Sequence, residues 1–457
     1  MSRCAEAIGE YAGHALPVVA VALALIVAGA GAARAQSHVP APTPPMGWNS
    51  WDSYGTTVTE AEVKANADVM ARQLAGYGWR YLVVDIQWYQ PTAQGHEYKA
   101  GARLAMDGYG RLLPAENKFP SAANGTGFKA VADYVHARGL KFGIHVMRGI
   151  PRQAVQANLP IRGTRYRARD VADTTNGCRW NPDMWGVDVS RPGGQAYYDS
   201  IGELYASWGV DFVKADDMGD HEFQPAEIAA LRRALDRTGR PILLSISPGP
   251  APLAQAAFFA AHAQMWRISD DFWDSWKLVL KQFDYARDWA AHVGTGHTWP
   301  DADMLPFGRL RLTDSARVGS PSHLNADEQR TVMTLWSIFR SPLIMGGDLP
   351  SLDSATLALL TNPEVIAVNQ HGTSPRQVLE RPGLRVWRSR APDGGDYVAV
   401  FNISDGAMPV DIAWPAVGLG AGPRSVRDLW SARPLGRQGT LQVQLAPHAS
   451  ALVRIDG

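Results

Sequence analysis

The sequence predicts an α/β fold, a (β/α)8 TIM barrel followed by a C-terminal antiparallel β-sandwich. Three observations predict it. Short apolar runs alternate with amphipathic helical patterns in about eight units between residue 46 and about residue 375. The runs are apolar throughout, as parallel strands covered on both faces are. Near residue 376 the pattern changes to short alternating strands punctuated by Gly, Pro and Asp, the mark of antiparallel sheet.

The N-terminal segment stands outside this pattern. Residues 16–31 read LPVVAVALALIVAGAG, an apolar run of signal-peptide length that is short for a spanning helix. Ala33-Arg34-Ala35 gives a small-x-small cleavage pattern. The expected layout is a signal peptide over 1–35 cut after Ala35, a barrel over 36–375 and a β domain over 376–457, with a secreted or periplasmic product and no stable membrane association after cleavage. The alternative is an uncleaved anchor. Cys4 leaves with the leader, so the mature chain keeps Cys178 alone and no intrachain disulfide.

Composition narrows the function. The 457 residues carry 44 Lys+Arg and 44 Asp+Glu, and this balance argues against a nucleic-acid partner. A hydrophobic fraction of 46% is that of a globular chain. The 16 Trp include rings on which a sugar face could stack, although most belong to a core. No Cys or His cluster has zinc spacing.

In order, the barrel elements begin with the strand in MGWNSW (residues 46–51), after a Pro-rich connector. Thr59 and Glu62 form a capping box ahead of a helix carrying Val63, Ala67, Met70 and Leu74 on one face. Strands follow at Tyr81–Ile86, Lys141–Val146, Asp211–Asp216, Pro241–Ser247 and Met265–Ser269, then in HTWPDADM (297–304) and at Pro342–Gly347. Asn325 and Glu328 repeat the capping box before Val332, Leu335, Trp336 and Phe339. Long connections after Trp88 and Val146 are expected to shape a pocket. In the tail, Val386–Ser389, Tyr397–Asn402, Val410–Trp414, Leu441–Leu445 and Ala451–Ile455 read as strands.

Barrel enzymes carry their working groups at the C-terminal strand ends. Here those ends are acidic: Asp85; Lys214-Ala215-Asp216-Asp217; Arg267 with Asp270 and Asp271; Asp301 and Asp303. Two carboxylates with cations nearby suit glycoside hydrolysis, where one attacks the anomeric carbon and the other protonates the leaving oxygen. Acidic strand ends also hold divalent metals or cap helices, and spacing alone does not choose among these readings.

The motifs choose. PPMGWNSW (44–51), KAD (214–216), WRISDD (266–271), PDADML (300–305), MTLWSIFRSPLIMGGDL (333–349), VNQH (368–371) and VRDLWS (426–431) together resemble the α-galactosidases of glycoside hydrolase family 27. The resemblance runs from Pro44 to near the C-terminus. It implies a retaining, cofactor-free, exo-acting α-glycosidase, in the first instance an α-galactosidase, acting on an oligosaccharide or polysaccharide. It implies Asp216 as nucleophile, Asp271 as acid/base, and Trp51, Asp85, Lys214, Arg267 and Asp303 as groups that hold the sugar. Asp217 and Asp270 have no catalytic counterpart in the motif.

The departures point to the sugar. The family's paired Asp after the second strand, which takes the sugar's 4- and 6-hydroxyls, reads Asp85-Ile86 here. The family's Tyr after the third strand is His145, and its polar group after the fifth is Ser247. Ile86, His145 and Ser247 are therefore counted among the substrate-binding positions, and Trp88 and Tyr89 as candidate stacking rings. Because L-arabinopyranose is galactose without its C6 hydroxymethyl group, a β-L-arabinopyranosidase is the near alternative. An isomaltodextranase-like α-glucan enzyme is another. A non-catalytic carbohydrate-binding protein and a metal-dependent hydrolase are the alternatives outside this class; both Asp216 and Asp271 being kept argues against the first.

Overall fold

The structure, a computed structural model, describes residues 41–457 except 221, 222, 314 and 315. The expected leader lies outside the described residues. Among them, no helix is long and apolar enough to cross a membrane.

Eight parallel strands form one sheet: β1 (Met46–Asn49), β2 (Tyr81–Val84), β3 (Lys141–Met147), β4 (Phe212–Asp216), β5 (Leu243–Ile246), β6 (Met265–Arg267), β7 (Trp299–Asp301) and β8 (Leu343–Met345). They pair in the order β7-β6-β5-β4-β3-β2-β1-β8. A parallel bridge from Leu305 to Met345 joins the two ends, with Leu305 N donating to Ile344 O at 2.7 Å. The sheet thus curls into the expected barrel. Its interior is filled by Val83, Phe212, Leu243, Met265, Trp299 and Ile344, with Ala41 of the connector packed among them. The indole of Trp299 donates to Ala41 O at 2.9 Å. Gly47 is required in β1, since a Cβ there would meet Tyr81 O at 2.2 Å.

The helices that alternate with the strands are α1 (Glu60–Val69), α2 (Lys129–His136), α3 (Gly194–Trp208), α4 (Pro225–Arg237), α5 (Ala256–His262), α6 (Trp276–Trp289), α7 (Ala326–Phe339), α8 (Ser354–Leu360) and α9 (Pro363–His371). Both capping boxes form. Thr59 N donates to Glu62 Oε2 at 2.8 Å, and Asn325 Oδ1 accepts from Asp327 N and Glu328 N at 2.9 and 3.0 Å. Orphan donors of the first turn are satisfied in each case. The connection after β3 folds into a small antiparallel sheet of residues 150–151, 172–177 and 184–187.

Beyond α9 lies the sandwich: β9 (Thr373–Arg381), β10 (Leu384–Arg390), β11 (Asp396–Asn402), β12 (Met408–Ala413), β13 (Arg424–Asp428), β14 (Arg433–Gln438), β15 (Thr440–Leu445) and β16 (Ser450–Asp456). Six of them pair as β9-β10-β11-β16-β13-β14, and β12 pairs with β15. The alternation decides what each face covers. Val386, Val398 and Val400 join the sandwich core with Val410, Ile412 and Trp414. Trp387, Ala399 and Phe401 point the other way into the barrel's core. Phe283 of α6 meets Phe401 and Phe339 of α7 meets Trp387, with ring centroids at 5.0 and 6.1 Å. The edge strands β9 and β14 are too polar and exposed for apolar alternation to reveal them.

Candidate active site

The C-terminal strand ends open on a cavity of about 470 Å³. Trp51, Asp85, Ile86, Lys214, Asp216, Ser247 and Asp271 all line it. They follow or lie near the ends of five strands, β1, β2, β4, β5 and β6, as barrel geometry dictates. His145, Arg267 and Asp303 stand behind the wall, and each touches a residue that lines it or supports one that does.

At the floor is a hydrogen-bonded ion cluster. Lys214 Nζ donates to Asp85 Oδ2 at 2.8 Å and lies 3.8 Å from Asp216 Oδ2. Asn49 Nδ2 donates to the same Asp85 oxygen at 2.7 Å, and Asp85 N donates to Ser50 Oγ at 2.9 Å. His145 Nε2 donates to Asp216 Oδ2 at 2.8 Å. Burial works to raise the Asp216 carboxyl, but Lys214 and then His145 outweigh it and hold it well below the usual carboxylate range. Burial likewise acts against the Lys214 ammonium, and Asp216 and Asp85 more than restore it. The second oxygen, Asp216 Oδ1, is buried with no hydrogen-bond partner among the described residues. A carboxylate held ionised with one oxygen bound and one bare is arranged as a nucleophile.

His145 is fully buried and absent from the cavity lining, so the expectation that it meets substrate is corrected. β3 runs beside β4 with His145 paired to Lys214, and this register sends the imidazole onto Asp216. Trp88 and Tyr89 are corrected too, being buried and away from the cavity. Trp88 Nε1 donates to His145 O at 2.9 Å and its ring packs on Phe128 and Trp208. The Tyr89 hydroxyl donates to Asp183.

Opposite the floor, Asp271 is 59% exposed while Arg267, 3.3 Å from it, is 2% exposed. Arg267 also pairs with Asp303 Oδ2 at 2.7 Å, and that oxygen accepts Phe272 N at 2.7 Å. Burial raises the Asp303 carboxyl against the pull of Arg267. Burial also pushes Asp301 up to about 7, with Arg267 opposing and Asp303 adding. Asp217 serves structure: Arg148 bridges it and Glu227 at 2.7 and 2.8 Å. Asp270 lines the cavity beside Asp271.

The rest of the wall comes from the two long connections. His96 and Tyr98 follow β2, and Trp180 follows β3. Trp51 lies parallel to Tyr98 at 6.3 Å and edge-on to His96 at 4.9 Å. The abundance of Trp pointed to such rings, but nothing local in the sequence distinguishes Trp180 from the buried Trp88.

Asp85, His145 and Asp216 bring donor atoms within 4.8 Å of one another, a spacing a metal could bridge. The donor set does not fit one. Asp85 Oδ2 already accepts Asn49 and the Lys214 ammonium, and a dication there would sit against that positive charge.

Residues 187–371 match the family described as alpha galactosidase A, and residues 382–455 match the alpha galactosidase C-terminal beta sandwich domain. The α-galactosidase of Cyamopsis tetragonoloba is 30% identical over 85% of this chain and 80% of its own length. The α-galactosidase A of Cellvibrio japonicus is 30% identical over 81% and 79%. Among solved structures, a family 27 β-L-arabinopyranosidase of Geobacillus stearothermophilus is 52% identical, covers 91% of this chain and 97% of its own, and superposes with a TM-score of 0.89.

Proposed function

The chain belongs to glycoside hydrolase family 27 and is a glycosidase, and from that premise we propose that it is a retaining exo-enzyme releasing terminal β-L-arabinopyranosyl residues. Ile86 carries this reading. It lines the cavity next to Asp85, where the family pattern has a second carboxylate. An Ile accepts no hydrogen bond. A galactose hydroxyl placed there would be desolvated and unpaired, at a cost of about 1–3 kcal/mol. A pentopyranose has no hydroxymethyl group to strand and gains apolar contact. The 52% identical relative named a β-L-arabinopyranosidase supports the same choice.

In the proposed reaction, Asp216 Oδ1 attacks the anomeric carbon while the Asp271 carboxyl protonates the departing oxygen. The sugar is then bound to Asp216 as an ester. Asp271, now ionised, takes a proton from water, whose oxygen displaces Asp216 and leaves the sugar with its starting configuration. Lys214, Asp85 and Trp51 hold the sugar, Ser247 lines its path, and Arg267 orients Asp271 from behind with Asp303 fixing Arg267.

The second reading is an α-galactosidase, favoured by Asp85, the half of the family's pair that remains, and by relatives of that name. A screen on p-nitrophenyl β-L-arabinopyranoside and α-galactoside, with wild type and Ile86→Asp, separates them. Wild type is expected to prefer the arabinoside, and Ile86→Asp to raise kcat/KM for the galactoside roughly 5- to 150-fold while lowering it for the arabinoside. A wild-type preference for galactoside, with both activities depressed in the variant, would refute the arabinoside reading. We also infer export with a cut after Ala35, which the mass of the mature chain from its native host would test. A mature N-terminus other than Gln36 would exclude that cut.

A further inference from the structure

A second cavity, of about 330 Å³, opens beside the first, and no step of the reaction uses it. Arg103, Arg152, Gln153, Gln156 and Asp183 supply its polar lining. The two cavities share a partition. Tyr98 and Trp180 line the first and pack against each other at 5.3 Å. Two residues further along the same two connections, Ala100 and Pro182 line the second. Two residues of chain span at most about 7 Å, so the second cavity begins just behind that aromatic wall.

The cavities differ in charge. Among the described residues, Asp85, Asp216, Asp220, Asp270 and Asp271 line the first, with Lys214 as the cation beside them. The second has two guanidinium groups and one carboxyl. Arg103 is exposed and makes no hydrogen bond or ion pair among the described residues. Arg152 lies over the Trp185 ring at 3.8 Å and spends Nε on Met184 O, and among the described residues its terminal nitrogens make no hydrogen bond or ion pair. Asp183 is held by Gln87 Nε2 at 2.6 Å and the Tyr89 hydroxyl at 3.1 Å, and burial raises its carboxyl. The Gln153 amide is engaged by Ala102 O and Leu104 N, so the guanidinium groups beside the Gln156 amide and a carboxyl are what match the hydroxyls and carboxylate of a sugar acid.

We propose that this cavity is an aglycone subsite for a hexuronic acid unit, so that the enzyme favours acidic oligosaccharides ending in a neutral sugar. An acidic unit is repelled from the carboxylate-lined cavity and drawn to the arginines, and this orients the chain with its neutral end over Asp216. The proposal rests on the glycosidase activity but not on which terminal sugar is cleaved.

The test uses oligosaccharides with one non-reducing terminal sugar, whose second or third unit is a hexose or the matching hexuronic acid, alongside the p-nitrophenyl glycoside. Wild type should show a higher kcat/KM on the acidic member, with an advantage that shrinks as salt rises. Arg103→Ala should lower that advantage about 3- to 10-fold and leave the p-nitrophenyl glycoside unchanged. Arg152→Gln should act in the same sense, and if it fails to fold, the Arg103 variant and the salt dependence still decide. Equal rates on acidic and neutral members, or an equal loss on the p-nitrophenyl glycoside, would overturn the subsite. Galactosyl and arabinosyl series are run in parallel. A failure of the arabinoside reading then appears as a change of preferred series, and a failure of the subsite as an acid-to-neutral ratio near one in both.

Discussion

The two central carboxylates are set in opposite environments, and the difference supports the tasks proposed for them. Asp216 is buried against Lys214 and His145 and stays ionised far into acid, so the acidic limb of the rate profile should not report its titration. Asp271 is largely exposed, with Arg267 beside it. Asp216→Ala should abolish turnover on every glycoside, because no other group can form the ester. Asp271→Ala should keep fast first-step cleavage of aryl glycosides with acidic phenols, and azide should rescue turnover by replacing the activated water. Azide rescue in Asp270→Ala instead would move the acid/base by one residue. Asp301 gives a prediction of a different kind. Its carboxyl is raised from an ordinary 3.8 to about 7, so the folded state holds a proton that the unfolded state has released between those values. Stability should therefore fall as pH rises from about 4 to about 7 and stay lower above. Asp301→Asn keeps an oxygen for the Asp303 amide, which donates to Asp301 Oδ1 at 3.0 Å, and removes the titration. Urea unfolding should show the variant more stable than wild type by roughly 1–4 kcal/mol at pH 8, with little difference at pH 4. A loss at both pH values would mean that Asp301 is ionised and pairs productively with Arg267.

Among the elements, α7 couples the barrel to the sandwich through its first turn. Asn325 caps it, and Glu328 closes the box by accepting Asn325 N at 2.9 Å. Glu328 also pairs with His448 Nδ1 at 2.7 Å, while Thr331 Oγ1 donates to His448 O at 2.7 Å. The His448 ring stacks on Trp276 of α6 at 3.9 Å. Loss of the cap leaves first-turn donors unsatisfied, so Asn325→Ala should cost about 1–2 kcal/mol in urea unfolding. Asn325→Ser, which restores an acceptor, should recover most of it. Equal losses in the two variants would mean that the side chain acts by packing and not as a cap.

On the scale of the whole molecule, the sandwich completes the barrel's core. Trp387, Phe401 and Leu452 belong to the cluster that contains Phe283, Trp336 and Phe339. Removing residues 373–457 would expose that apolar face of α6 and α7, a surface of the kind that drives aggregation. A chain ending at Gly372 should be insoluble or inactive, and calorimetry of the full chain should show one transition with matching calorimetric and van't Hoff enthalpies. Two separable transitions, or a soluble active barrel, would make the sandwich an independent appendage.

The architecture is legible in the chain before it folds, because barrel strands and helix caps are written in local runs and spacings: YLVVDI, KFGIHV, and the boxes at Thr59/Glu62 and Asn325/Glu328. Motifs of the KAD and WRISDD kind named the candidate carboxylates before any geometry. The wall of the cavity, by contrast, is set by contacts that exist only once the chain has folded. His145 turns to Asp216 because β3 pairs with β4 in a register that no local pattern encodes. Trp88 is buried and Trp180 lines the cavity because the long connections fold back by contacts distant in sequence, such as Trp88 on Trp208 and Tyr98 on Trp180. The polar edge strands β9 and β14 escaped for the complementary reason: pairing and not apolar periodicity makes them strands, and pairing partners are chosen only when the chain has folded.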